Sequence, residues 1–294
     1  MTSQTVAPAT GPLSVTEVIA LEEVAPLRFR GRTQAGPGKR TYGGEVAGQA
    51  VLAATRTVPA DRFVHSAHMH FLLPGDTSVP IDFVVEETRD GGSFTARRVE
   101  AVQKGRVIFT MTASFQGRED GIEHAATAAH VPVPESLPTP AEMFADDPEN
   151  LQWVQWLLDS NELDARFPAL PARSAAARGL RVDAQQSAWI RAKHRISDDE
   201  HDQAAALAYV SDLLLLSAAL GPHGYTLQDG KLQFATIDHT IWFHAPIRVD
   251  EWFLYEQESR WAGNSRALCH GEIFDRAGRL CATTMQEGLL RIRG

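Results

Sequence analysis

The chain repeats one plan twice, and any fold for it must accommodate both copies. In the first, Gly43-Gly44-Glu-Val-Ala-Gly48-Gln49-Ala-Val-Leu-Ala-Ala54 is apolar with small residues on nearly every side, which predicts a helix closely approached by surrounding backbone. Four runs of strand character follow, at 68–73, 79–89, 93–104 and 106–115, separated by Pro74-Gly-Asp, Asp90-Gly-Gly and Lys104-Gly105 turns. In the second copy, residues 204–220 predict an apolar helix, and 233–244, 253–260, 265–274 and 278–290 predict four more strands. One offset of 172 residues relates Pro74 to Pro246 (246 minus 74), Ser93 to Ser265 (265 minus 93) and His70-Phe71 to Trp242-Phe243. The expected class is α+β, built from two tandem units of an apolar helix and an antiparallel meander.

Between the copies the composition turns to Pro, Ala, Asp and Glu, with Pro132, Pro134, Pro138 and Pro140 closely spaced, as in a crossover. A short helix is expected there over 151–158. The expected organisation is an N-terminal tail and first helix (1–26), a first unit (27–117), a crossover (118–180) and a second unit (181–294).

Several functions are disfavoured by composition. A formal net charge of −9 and a pI near 5.7 argue against a nucleic-acid partner, whose phosphates demand clustered Lys and Arg. Cys269 and Cys281 are too few for a disulfide framework, which points to a reducing, cytoplasmic compartment. No Lys or Arg precedes Arg28, so no secretory leader is expected. The most apolar window, 204–220, is interrupted by Asp212 and short for a membrane span. His65, His68 and His70, and separately His239 and His244, are close in sequence, but no Cys pair or HExxH run completes a metal site, so no metal is expected. GxSxG and GxxxxGK runs are missing, and Gly43-Gly44 lacks the GxGxxG spacing; no cofactor is implied.

Three residues stand out chemically. Asp212 lies within Ala-Tyr-Val-Ser-Asp-Leu-Leu-Leu-Leu216, and a carboxylate in so apolar a helix needs either partners or a ligand cavity, where it can act as a general base. In Phe234-Ala-Thr236-Ile-Asp238-His239, strand alternation places Thr236 and Asp238 on one face and His239 on the other. Thr236 could then hold a water. Gln286, in the last strand, offers a donor and an acceptor.

The chain resembles the bacterial acyl-CoA thioesterase II family, the TesB type. The matching segments include Phe29-Arg-Gly31, Tyr42-Gly-Gly-Glu-Val-Ala-Gly-Gln49, Val64-His-Ser-Ala-His-Met-His-Phe-Leu-Leu-Pro-Gly-Asp76, Met111-Thr-Ala-Ser-Phe-Gln116, Tyr209-Val-Ser-Asp212, Ala235-Thr-Ile-Asp-His239, Trp242-Phe-His244 and Gln286-Glu-Gly288. The resemblance implies a double hot-dog, in which two helix-wrapped sheets join into one continuous sheet, and hydrolysis of an acyl-CoA substrate without a cofactor. It also implies that Asp212, Thr236 and Gln286 jointly orient the attacking water. Gly48, Gln49, His65, Arg97 and Arg98 are candidate substrate contacts, with Arg40 and Lys39 as further cations for the CoA phosphates. The first copy offers Ser114 or Ala113 opposite Gln286, so one full trio is expected. Competing readings are a hot-dog enoyl-CoA hydratase using Asp238 and His239, and a non-catalytic acyl-CoA binding protein. Exposed sheet edges suggest a homo-oligomer, a dimer or tetramer.

Overall fold

The computed structural model describes residues 13–34, 40–225, 230 and 232–293. The chain opens with α1 (Val15–Ile19), whose cap Ser14 and Glu17 bond each other reciprocally, followed by β1 (Leu21–Ala25) and β2 (Arg28–Gly31). The first copy comprises α2 (Gly43–Thr55), β3 (Phe63–Phe71), β4 (Ile81–Asp90), β5 (Phe94–Gln103) and β6 (Arg106–Gln116). The crossover carries α3 (Pro140–Met143), α4 (Pro148–Ser160), β7 (Leu163–Arg166) and α5 (Ala172–Ala177). Then come β8 (Gln185–Ala192), α6 (Glu200–Ser211), β9 (Leu232–Thr236), β10 (Asp238–Phe243), β11 (Phe253–Gly263), β12 (Arg266–Phe274) and β13 (Leu280–Ile292).

All thirteen strands belong to one antiparallel sheet, ordered β1-β2-β4-β5-β6-β3-β10-β13-β12-β11-β8-β7, with β9 also pairing β13. The copies meet at β3 and β10, where Thr240 pairs with His68, its own equivalent under the 172-residue offset, flanked symmetrically by Asp238↔His70 and Trp242↔Ser66. An approximate two-fold axis therefore passes between His68 and Thr240. The sequence offset is the register of the central strand pair.

α2 packs on β3 to β6, α6 packs on β3 and β10, and the two helices pack on each other. Small residues permit this approach: a Cβ at Gly48 would meet the Ala205 carbonyl at 2.9 Å and the Tyr209 Cβ at 3.0 Å. The helices bury Ala47, Ala50, Ala53, Ala205, Ala206 and Ala208 almost completely, which removes apolar surface from water without holding the backbones apart. Glu200–Leu220 is the one stretch among the described residues long and apolar enough to cross a bilayer, and 83% of its most apolar window is buried within the fold.

Two expectations are corrected. The helix expected over 204–220 ends at Ser211; Leu214 turns left-handed (φ 64°), and a 3-10 helix, Leu215–Leu220, continues. The strand expected over 233–244 is broken at Ile237, whose N–H bonds the Glu287 carbonyl while its own carbonyl accepts from Phe71 N. Because the break resets the alternation, Thr236 and His239 both reach the end of α6, whereas the Asp238 carboxylate accepts from Glu287 N at 2.9 Å. In the first copy the equivalent position, His65, is a bulge in β3. The crossover also does more than connect, since β7 extends the sheet beyond β8.

One buried charge in α2 makes stability depend on pH. Glu45 is 2% exposed and receives only long bonds from Gln34 N, at 3.3 and 3.4 Å. Burial pushes its carboxyl up to about 8. Between its ordinary value and that one, the folded chain holds a proton that the unfolded chain has released, so stability falls as pH rises through this window. Glu45→Gln removes the dependence. In denaturant titrations, the variant is expected to gain on the wild type by an amount on the order of 1–3 kcal/mol between about pH 5 and pH 8.

Candidate active site

At the point where α6 ends, Asp212 meets two strands and the other helix. Its Oδ1 accepts from Gln286 Nε2 at 2.8 Å and from Thr236 Oγ1 at 3.2 Å, and its Oδ2 accepts from the Gly44 amide at 3.0 Å. Gln286 Nε2 also lies 2.5 Å from Thr236 Oγ1. The carboxylate thus has three donors in place of the water it loses, one of them at the N-terminus of α2, where the helix dipole favours negative charge. Gln286 Oε1 is buried and has no partner among the described residues.

The first turn of α2 must be glycine for this contact to form. A Cβ at Gly43 would stand 2.7 Å from Asp212 Oδ2, and one at Gly44 would strike the Tyr209 carbonyl. Tyr42, the residue before the helix, sends its hydroxyl to that same carbonyl at 3.2 Å. On the other side, three side chains donate to carbonyls at and just beyond the end of α6. Tyr255 Oη donates to Ser211 O at 2.6 Å, Gln257 Nε2 to Leu213 O at 2.9 Å and Gln186 Nε2 to Leu214 O at 2.9 Å. Gln186 also donates to Gln257 Oε1 at 2.7 Å. The backbone on both sides of Asp212 is therefore pinned to the sheet.

The trio opens on a cavity of about 510 Å³. Its wall is apolar on the side of Val46, Phe71, Ile108 and Phe109, and the crossover closes it with Trp153, Trp156 and Leu157 of α4. Arg40 lines it from an exposed position, while Lys39 lies outside the described residues.

The other expected contacts are elsewhere. Gly48 is spent on helix packing, and Gln49 Nε2 braces the N-terminal segment through Val18 O and Arg32 O at 2.6 and 2.8 Å. His65 bonds Ser114 Oγ at 2.8 Å and lines a second cavity. Arg97, 2% exposed, uses its donors on Asp90, Thr57 and the Ala96 carbonyl, and Arg98 pairs with Glu86 and Glu100 on the outer face. A buried guanidinium has to satisfy its donors, which is why Arg97 is a staple within the sheet and no part of the cavity. His239 is held below its ordinary value by burial and faces Ser211 Oγ at 2.8 Å, whereas Asp238 faces Glu287 N. These two do not form a dyad. Among the described residues no group of three or more His, Cys, Asp or Glu is placed to hold a metal ion.

Comparison with known proteins matches residues 32–116 to the acyl-CoA thioesterase N-terminal domain and 159–289 to the acyl-CoA thioesterase model. The chain is 39% identical to acyl-coenzyme A thioesterase 8 of Homo sapiens, over 95% of this chain and 89% of that protein. It is 38% identical to acyl-CoA thioesterase 2 of Haemophilus influenzae, over 93% and 96%. The chain belongs to the acyl-CoA thioesterase II family. A crystal structure of an acyl-CoA thioesterase II from Mycobacterium marinum is similar at TM-score 0.77 and 40% identity, covering 96% of this chain and 99% of that one. A protein from Alicyclobacillus acidocaldarius described as having a hot dog fold aligns at TM-score 0.74 with 22% identity, covering 95% and 98%, and supports the fold alone.

Several parts of this family member's site carry no local sequence signal. Tyr255, Gln257 and Gln186 are ordinary strand residues until the fold brings them to α6, and Trp153 and Trp156 lie in what reads as linker. The Gly43-Gly44 pair was visible as a packing device, and its proximity to Asp212 gives it a second part. Gln257→Leu is expected to leave the Leu213 carbonyl without its donor, while the Gln186 amide keeps the Leu214 carbonyl and Ser217 Oγ, and to lower stability by about 1–3 kcal/mol in chemical denaturation. A loss within experimental error would show that the carbonyl is satisfied another way.

Proposed function

We propose that this protein hydrolyses acyl-CoA thioesters to free fatty acid and CoA, with a water molecule activated by Asp212. The observation that carries the reading is the meeting of Asp212, Thr236 and Gln286 on the wall of an apolar cavity, beside the N-terminus of α2. The names of the relatives point the same way.

In this reading, water sits among Asp212, Thr236 and the unpartnered Gln286 Oε1, and its oxygen attacks the thioester carbonyl carbon as Asp212 takes its proton. The oxyanion develops toward the N-terminus of α2, where the helix dipole opposes its charge without reorganising. The C–S bond then breaks. A thiolate is a good leaving group, so the proton on Asp212 can pass to the sulfur or to solvent without a separate acid. Neither a metal nor an organic cofactor enters any step. The acyl chain lies between β3 and α4, and exposed Arg40 is available to the CoA phosphates at the rim.

Asp212→Asn keeps the shape and removes the base. Release of CoA thiol from acyl-CoAs of several chain lengths is expected to fall by about 10²–10⁴ in kcat, with KM little changed. Wild-type protein that turns over no chain length would overturn the reading, and unchanged turnover by the variant would remove Asp212 from it. Thr236→Ala is expected to cost less, roughly tenfold in kcat, since Gln286 still holds the water.

A further inference from the structure

The cavity beside Asp212 contains a cation that the proposed hydrolysis does not use. Arg173, in the first turn of α5, lines it together with Trp153, Leu216 and Ser217. It is 7% exposed, and its guanidinium carbon stands 3.8 Å from the centre of the Trp153 ring. Arg97, the other buried arginine among the described residues, is paired with Asp90 and Glu87. Among the described residues Arg173 has no carboxylate at ion-pair distance, Glu149 acting on it only from further away, and its Nε is buried without a hydrogen-bond partner.

Stacking on Trp153 satisfies the face of the guanidinium, but the N–H donors lie in its plane and point past the ring. Burial lowers its pKa to about 10, which leaves the group charged at neutral pH. A desolvated cation with an unused donor is costly in a cavity that Phe71, Trp153, Trp156 and Leu157 line alongside the polar trio and Ser217. A plain hydrocarbon chain would make that worse, whereas an anionic oxygen group would complete the fork with charge-assisted hydrogen bonds.

We propose that Arg173 is a specificity-determining residue that binds an anionic oxygen group of the substrate, either a carboxylate at the far end of the acyl chain or a phosphate of CoA. The inference rests on the reading of this cavity as the thioester site. Of the two sources, burial favours the carboxylate: a compact monoanion fits a shielded guanidinium, whereas hydrated, multiply charged phosphates suit the exposed Arg40 on the same cavity.

The test compares wild type, Arg173→Gln and Arg173→Lys on three thioesters: a saturated acyl-CoA, the ω-carboxyacyl-CoA of equal length, and the saturated acyl-pantetheine, which has no phosphate. The quantity read is the ratio of kcat/KM values between thioesters, so a general loss of folded protein cancels. For a carboxylate ligand, Arg173→Gln lowers the ω-carboxy substrate about tenfold to a hundredfold more than the other two, chiefly through KM. For a phosphate ligand, both CoA thioesters fall by that factor relative to acyl-pantetheine. Arg173→Lys, which keeps the charge, recovers part of the lost selectivity in either case. An equal effect on all three thioesters, or none, makes Arg173 structural and overturns the proposal. Calorimetric binding of the matching non-hydrolysable thioethers, with and without the ω-carboxylate, reads the same ratio without turnover. A failure of hydrolysis is thereby kept separate from a failure of anion binding.

Discussion

The site depends on how one helix ends. α6 could have run on through its leucines, but it stops at Ser211, and the left-handed Leu214 redirects the chain. This places Asp212 at the helix terminus, half-buried and facing a cavity, where the N-terminus of α2 receives its carboxylate through Gly44. The two helices run antiparallel, so the negative end of one dipole and the positive end of the other lie together with the carboxylate between them. Tyr255 and Gln257 take up the Ser211 and Leu213 carbonyls that the break exposes, and Gln186 joins Ser217 on that of Leu214. Without them, ending a helix inside a core would leave buried acceptors unsatisfied.

The two-fold repeat creates two such junctions but equips only one. The strand equivalence that centres on His68 and Thr240 puts Val64 at the place of Thr236. Strands β6 and β13 differ by one further residue, because Thr240 pairs Met285 while His68 pairs Thr112, so Gln286 corresponds to Ala113 and not Ser114. The cap of α2 is Arg56 where that of α6 is Asp212, and its side chain is turned to the Leu21 carbonyl. The second junction still encloses a cavity of about 270 Å³, lined by Phe63, His65, Arg118, His201 and Pro246 among others. It has the cavity and a helix N-terminus, but not the three residues that could activate water.

Much of this was legible from local pattern. The Gly and Ala run of α2, the Pro-Gly and Gly-Gly turns and the common offset identify the double unit, because periodicity and turn chemistry are local properties. Asp212 was conspicuous as one charge among leucines. The break at Ile237 was not legible, since it arises when one residue's N–H and C=O turn to different strands, a matter of tertiary pairing. The arginines show the same boundary. Arg97, Arg98 and Arg173 are equivalent letters, yet the first is consumed by Asp90 and Thr57, the second lies outside, and the third alone reaches the cavity. Gln186 and Gln257 stand 71 residues apart and become a pair only when β8 and β11 align.

In the proposed reaction one junction, made by the second copy's trio and the first copy's helix, takes the thioester. A crystal structure with a non-hydrolysable acyl-CoA thioether addresses it most directly. The carbon that stands for the carbonyl is expected beside Asp212 and Gln286, within about 3–4 Å of the position a water would take between them. The acyl chain is expected to run under Trp153 and Trp156. A ligand seated in the other cavity, against Phe63 and His201, with the space beside Asp212 left open, would contradict it.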